Sequence, residues 1–195
     1  KPFFEAAEKR GKNYHLYFEY SCSLFGSYVH VTELDPVLLA ADKTLRELDA
    51  LPDITGDNNR NINVNIPVTA GQIMGKTEAY GLLGMLTVDT DITLSGFITP
   101  ELYTVGEPWK IHAVSALNYF TEPVKSKLLA KNPRTKEPRE GKIDFDINGK
   151  LVGNWFAAGT DYRGTETKAY CGDYLCPDWS GHLAFVYDFI DPDQM

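Results

Sequence analysis

Ile143-Asp144-Phe145-Asp146-Ile147-Asn148-Gly149-Lys150-Leu151-Val152-Gly153-Asn154-Trp155-Phe156 is the most legible stretch of this chain. Ile143, Phe145 and Ile147 alternate with Asp144 and Asp146, the period-2 pattern of a strand with one apolar face. Asn148-Gly149 stands between this run and Leu151–Phe156. An Asn-Gly pair between two such runs predicts a β-hairpin with a type I′ turn, because both central residues must take φ > 0. On this reading the two aspartates face outward.

Working outward, Leu183–Tyr187 reads as a further strand ahead of Asp191-Pro192-Asp193. Upstream, residues 131–141 are charged and nearly without apolar content. They are the best internal boundary, separating a C-terminal hairpin extension, 142–195, from the rest. That extension offers few strands and a small core, so one β-rich domain over 1–195 is expected. Toward the N-terminus, Tyr14–Tyr20 is aromatic-rich and Ser27–Thr32 carries Val29 and Val31; both read as strands. Further strands are expected at Val64–Val68, Gly84–Asp91, Ile92–Ile98 and within 111–120. Val64–Gly75 and Leu82–Asp91 are expected to pack in one antiparallel sheet or barrel, with Gly71 in a turn. Two short helices break the pattern. One runs from Asp35 as N-cap and Pro36 as first helical residue through Leu38, Leu45 and Leu48 to a stop at Pro52. The other spans Glu122–Ala130. Residues 1–12 read as a short helix or arm, and 53–63 as a polar loop. The fold class is therefore mainly β, an antiparallel sandwich or barrel with one or two short helices.

Composition narrows the function. The net charge is −8, and no Lys/Arg cluster interleaves with aromatics, so nucleic acid is an unfavourable partner. No apolar run has the roughly 18 residues that a membrane-spanning helix needs. Nothing reads as a signal peptide. A chain opening at Lys1 is expected to be either a processed product or a partial one, so that gap does not argue for the cytosol. Cys171 and Cys176 sit in the loop-like Cys-Gly-Asp-Tyr-Leu-Cys-Pro, where a disulfide is the expected reading. Two free thiols, or a metal site with His182, are the alternatives. Cys22 reads as a small buried hydrophobe.

Asp144-x-Asp146-x-Asn148-Gly149 matches the first half of a calcium loop, but the twelfth position, which needs a bidentate Glu, is Trp155. The hairpin accounts for the same residues. His15, His30, His112 and His182 form no close pair in sequence, and a His15–Glu19 metal pair on one strand face is geometrically open. The sequence lacks a Gly-x-Ser-x-Gly elbow and a Gly-rich phosphate loop. Asp89 and Asp91 share a strand face, a weak match to a glycosidase pair. Trp109, Trp155 and Trp179 are either core or platforms for sugar rings.

Asn65-Ile66-Pro67-Val68-Thr69-Ala70-Gly71-Gln72-Ile73-Met74-Gly75 resembles the V-x-A-G-Q-x-I-G hairpin of LytM-type (lysostaphin-like) zinc endopeptidases and of lipoyl-like hybrid-motif domains. Tyr28-Val29-His30-Val31 lies upstream, where those peptidases carry Tyr-x-His-Leu. Gly84-Met85-Leu86-Thr87-Val88-Asp89 lies where they carry Gly-x-His-Leu-His-Phe-Glu, and Thr99-Pro100-Glu101-Leu102-Tyr103 follows. The resemblance covers about residues 14–103. It implies a duplicated-hybrid-motif-like fold with His30 at a catalytic histidine position. It also implies that Met85 replaces a second catalytic histidine and Thr87 a zinc ligand; the family's His-x-x-x-Asp pair has no counterpart. Met85 cannot carry a proton and a Thr hydroxyl is a poor zinc ligand. The C-terminal part is similar to extensions of uncharacterised secreted bacterial proteins.

The resulting expectation is a non-catalytic extracellular or cell-envelope domain without a cofactor. Its partner is a protein or a polysaccharide, or other subunits of a surface assembly, its own copies included. The alternatives are an active LytM-type zinc hydrolase and a lipocalin-like small-ligand barrel.

Overall fold

The computed structural model describes residues 12–52, 60–77, 82–104, 107–160, 169–171, 174–176 and 182–193. The arm expected over 1–12, apart from Lys12, lies outside them, as does most of the 53–63 loop. The chain divides into two compact units. One comprises residues 1–19 and 26–85, the other 20–25 and 86–195.

Nine short strands and three α-helices make the chain mainly β among the described residues. They are β1 (Tyr14–Glu19), β2 (Leu24–Val31), β3 (Glu33–Leu34), β4 (Gly75–Lys76), β5 (Gly84–Asp89), β6 (Gly153–Phe156), β7 (Ala169–Cys171), β8 (Tyr174–Cys176) and β9 (His182–Phe185). The helices are α1 (Pro36–Ala41), α2 (Lys43–Asp49) and α3 (Val124–Lys131). The sheets are small: β1-β2-β5, then β3-β4, β6-β9 and β7-β8. None of these sheets closes on itself among the described residues.

The first unit is built on Val31, Leu34, Leu38 and Leu45, all buried, with Tyr14, Leu16, Tyr28, Ile62, Ile66 and Met74 packed against them. β1 alternates as predicted, with Tyr14, Leu16 and Phe18 turned inward. The single helix expected between Asp35 and Pro52 is two. Asp35 caps α1 through the Val37 amide at 2.9 Å, and Asp42, in extended conformation, caps α2 through the Leu45 amide at 2.8 Å. An Asp side chain competes with the helix for backbone donors, and here it restarts the helix. Arg46 then donates to the Leu39 and Ala40 carbonyls, which the end of α1 leaves open. Tyr14 and Lys12 both bind Asp49.

The strand expected over 64–75 shrinks to β4. It pairs antiparallel with β3, Glu33 opposite Lys76 and Leu34 opposite Gly75. Pro67 has no N–H to give to a ladder, and Val64 and Val68 stay exposed. The turn itself is where the sequence put it: Gln72 N donates to Thr69 O at 3.0 Å, with Gly71 at φ +84.

In the second unit Phe97 and Tyr103 form the buried centre, with Leu94, Ile111 and Phe156 against them. Residues 92–98 form no strand. The strand expected in 111–120 is instead two single-turn 3-10 helices, Lys110–His112 and Ala116–Asn118. Only Ala113 bridges to Val88. Ser115 explains the interruption, since its hydroxyl accepts from the Leu117 amide and starts the second turn. Residues 131–141, expected as a boundary, lie inside this unit. Arg134 is buried there and donates to the Lys136, Pro138 and Phe189 carbonyls. Arg139 binds the Arg134 and Leu129 carbonyls.

Candidate functional site

The opening hairpin is inverted. Residues 143–147 are not a strand, and β6 pairs with β9 instead, in the register Gly153↔Phe185, Asn154↔Ala184, Trp155↔Leu183, Phe156↔His182. Asp144 is buried at 3% exposure, while Phe145 is 44% exposed. Both aspartates act as acceptors for backbone donors elsewhere in the unit. Asp144 Oδ2 accepts from the Gly96 amide at 2.9 Å, with Lys142 Nζ 3.3 Å away. Asp146 Oδ2 accepts from the Ile98 amide at 2.9 Å, and its Oδ1 accepts from the Asn154 amide and side chain at 2.8 and 2.7 Å. The turn does form: Lys150 N donates to Ile147 O, and Gly149 sits at φ +73. Asn148 keeps φ < 0, so the turn has the type II requirement rather than that of type I′. The weak calcium candidates are Asp144, Asp146 and Asn148. Two serve as backbone clips, and Asn148 stands exposed in the turn.

Asn154 extends the clip toward the core. Its side-chain nitrogen donates to Asp146 Oδ1 and to Ile143 O, which fixes Oδ1 as the atom facing His182 Nε2 at 3.1 Å. That oxygen can only accept, so Nε2 carries the hydrogen, and the Tyr103 hydroxyl, 3.2 Å away, accepts from the same N–H. Tyr103 is 1% exposed, and its ring meets Phe97, Phe156 and His182 at 4.9, 5.2 and 5.7 Å between centroids. Burial, then the nearby Lys110 charge, hold the His182 imidazole below its ordinary pKa; Glu107 and Asp146 pull the other way. Glu107 and Lys110 pair at 2.7 Å.

This polar line borders an open groove of about 320 Å3. Ile98, Leu102, Val152 and Phe156 supply its apolar lining, and Trp155 flanks it. Trp155 is 47% exposed, and its indole N–H donates to Leu151 O at 2.7 Å, which fixes the ring. Opposite it on β9, Leu183 is 57% exposed. Thr99, Asn148 and Lys150 complete the lining. The sequence marked Trp155 as core or platform; it is half-exposed. Thr99 and Lys150 carried no sequence signal, since one Thr and one Lys in loops are indistinguishable from solvated surface.

The positions carried over from the peptidase resemblance look different. His30 lies in β2 at φ +68, uncommon outside glycine. In β5, Met85 is 46% exposed and Thr87 is buried, its carbonyl accepting from the Val114 amide. Among the described residues, no three His, Cys, Asp or Glu side chains are grouped to hold a metal. His15 bonds and stacks with Tyr17, at 3.2 Å and 4.3 Å, rather than pairing with Glu19. Burial, then His30, lower its pKa. His112 Nδ1 bonds Ile92 O. Of the Asp89/Asp91 pair, Asp89 accepts from the Tyr119 hydroxyl at 2.6 Å and from the Asp91 amide. Cys22, expected buried, is exposed and free. The backbone places Cys171 opposite Tyr174 and Cys176 opposite Ala169; the two cysteine side chains, and Trp179, lie outside the described residues.

No helix among the described residues is long and apolar enough to cross a membrane. No protein-family model matches the chain, and no curated protein or solved structure matches it.

Proposed function

We propose that this chain is a non-catalytic binding domain of the extracellular space or cell envelope, with a polymer or a protein as its ligand. The observation that supports it is the fixed, half-exposed Trp155 beside an apolar groove. Large aromatics combine contact area with few rotatable bonds, and one already held in place loses little entropy on binding. Surface assembly with further subunits, copies of the chain included, uses the same surface in this reading. A domain of this kind needs no cofactor.

The test is co-sedimentation of the intact chain with insoluble envelope polymers (peptidoglycan sacculi, chitin, cellulose), alongside cross-linking to envelope proteins. Retention on one of these, unchanged by EDTA, is the expected result. Release of soluble fragments that EDTA stops would replace the reading with the zinc hydrolase. A lipophilic small molecule carried by the purified chain, with no retention on polymer or protein, would replace it with the small-ligand barrel.

A further inference from the structure

We propose that the groove beside Trp155 is a subsite for an uncharged sugar ring of a polysaccharide, an inference that rests on the binding-domain reading above. The groove presents two kinds of surface together. Leu102, Val152 and Trp155 belong to the apolar part of its lining. Thr99, Asn148 and Lys150 stand on the same lining, and their side chains make no hydrogen bond or ion pair with the described residues. A pyranose ring has the complementary division, with C–H bonds on its faces and hydroxyls around its edge. An aromatic face takes the first and short polar side chains take the second.

Charge selects within that class. The one carboxylate on the lining among the described residues, Asp146, already accepts three N–H bonds, so it has little left for a cation. The chain as a whole carries −8, which repels polyanions and outweighs the single Lys150. An uncharged ligand meets neither objection. The volume, about 320 Å3, is at the small end of small-molecule sites and holds a ring or two rather than a folded partner. The site is also formed in advance. The Leu151 carbonyl holds the indole, and the Asp146 clip holds the backbone at Ile98 and Asn154.

The experiment is calorimetric titration of the intact chain with cellohexaose, chitohexaose, maltohexaose and laminarihexaose, with polygalacturonate as an acidic comparison. Binding to at least one neutral oligosaccharide is expected. Trp155→Ala should weaken it about tenfold or more, a loss of about 1.4 kcal/mol. Trp155→Phe, which keeps an aromatic face, should weaken it less, and Tyr17→Ala, an exposed aromatic in the other unit, should leave it unchanged. Circular dichroism on each variant separates lost binding from lost folding, and Trp155→Phe carries the test if Trp155→Ala does not fold. Equal affinity in wild type and Trp155 variants would overturn the subsite while leaving a binding domain. Preference for polygalacturonate would overturn the uncharged class. No binding to any neutral oligosaccharide, with retention on an envelope protein, would overturn this inference and leave the broader reading standing.

Discussion

Removing the Asp146 carboxylate separates two descriptions of the same residues. As an outward-facing strand residue, Asp146 is a surface position, and Asp146→Ala changes stability by no more than about 0.5 kcal/mol. As a clip, it leaves the amides of Ile98 and Asn154 and the Asn154 side chain without their acceptor. Ile98 is exposed, so water replaces the carboxylate at its amide. The two Asn154 donors are partly buried and are replaced less well. A hydrogen bond to a charged group contributes about 1.5–3 kcal/mol. Two such bonds, partly rehydrated, give a loss of about 3 kcal/mol. Asp146→Asn retains one acceptor oxygen but turns an amide NH2 toward a donor, so about 1–2 kcal/mol is expected. Urea unfolding followed by tryptophan fluorescence measures this, with the loss appearing in the midpoint and not in the slope. A wild-type midpoint in Asp146→Ala would refute the clip.

Three further outcomes follow from the same geometry. Gly149→Val should cost about 1–2 kcal/mol in urea unfolding, because its φ of +73 penalises a Cβ while nothing within 4 Å would be struck; an unchanged midpoint would contradict the turn. The lowered pKa values of His182 and His15 mean that the unfolded chain takes up their protons first. Stability is then complete above the ordinary value of 6.5 and declines as pH falls below it, so Tm should drop on acidification, and less so in His182→Gln; a level Tm in wild type would count against a neutral, half-buried His182. The proposed Cys171–Cys176 disulfide, which would close the β7–β8 hairpin across a diagonal of its register, predicts a mass lower by about two hydrogens than the reduced chain; two alkylatable thiols there would rule it out.

Much of the first unit is legible along the chain, because its signals are local. Alternating aromatics mark β1, and Asp35-Pro36 marks the start of α1. Gly71 and Gly149 mark turns that the backbone does make. The break at Asp42 has no distinctive sequence signal, because one Asp in a helical pattern reads equally as a solvated side chain. The inversion at 143–147 has a different origin. A period-2 pattern states that two faces differ, not which face is inside. Here the choice is made by backbone amides almost fifty residues away, at Gly96 and Ile98, which need acceptors. Trp155 is a candidate from its residue type, but its exposure depends on β9 pairing with β6 across the intervening segment. His30, Met85 and Thr87 were legible only through the resemblance, which the comparisons with known proteins leave without a match.

The most direct measurement of the central claim is retention on an insoluble uncharged polysaccharide in EDTA, scored together with fragments released into solution. The account predicts that wild type is retained and releases no fragments. It predicts that Trp155→Phe is retained less and Trp155→Ala least. Retention equal in all three, or soluble fragments that appear only when zinc is restored, would contradict it.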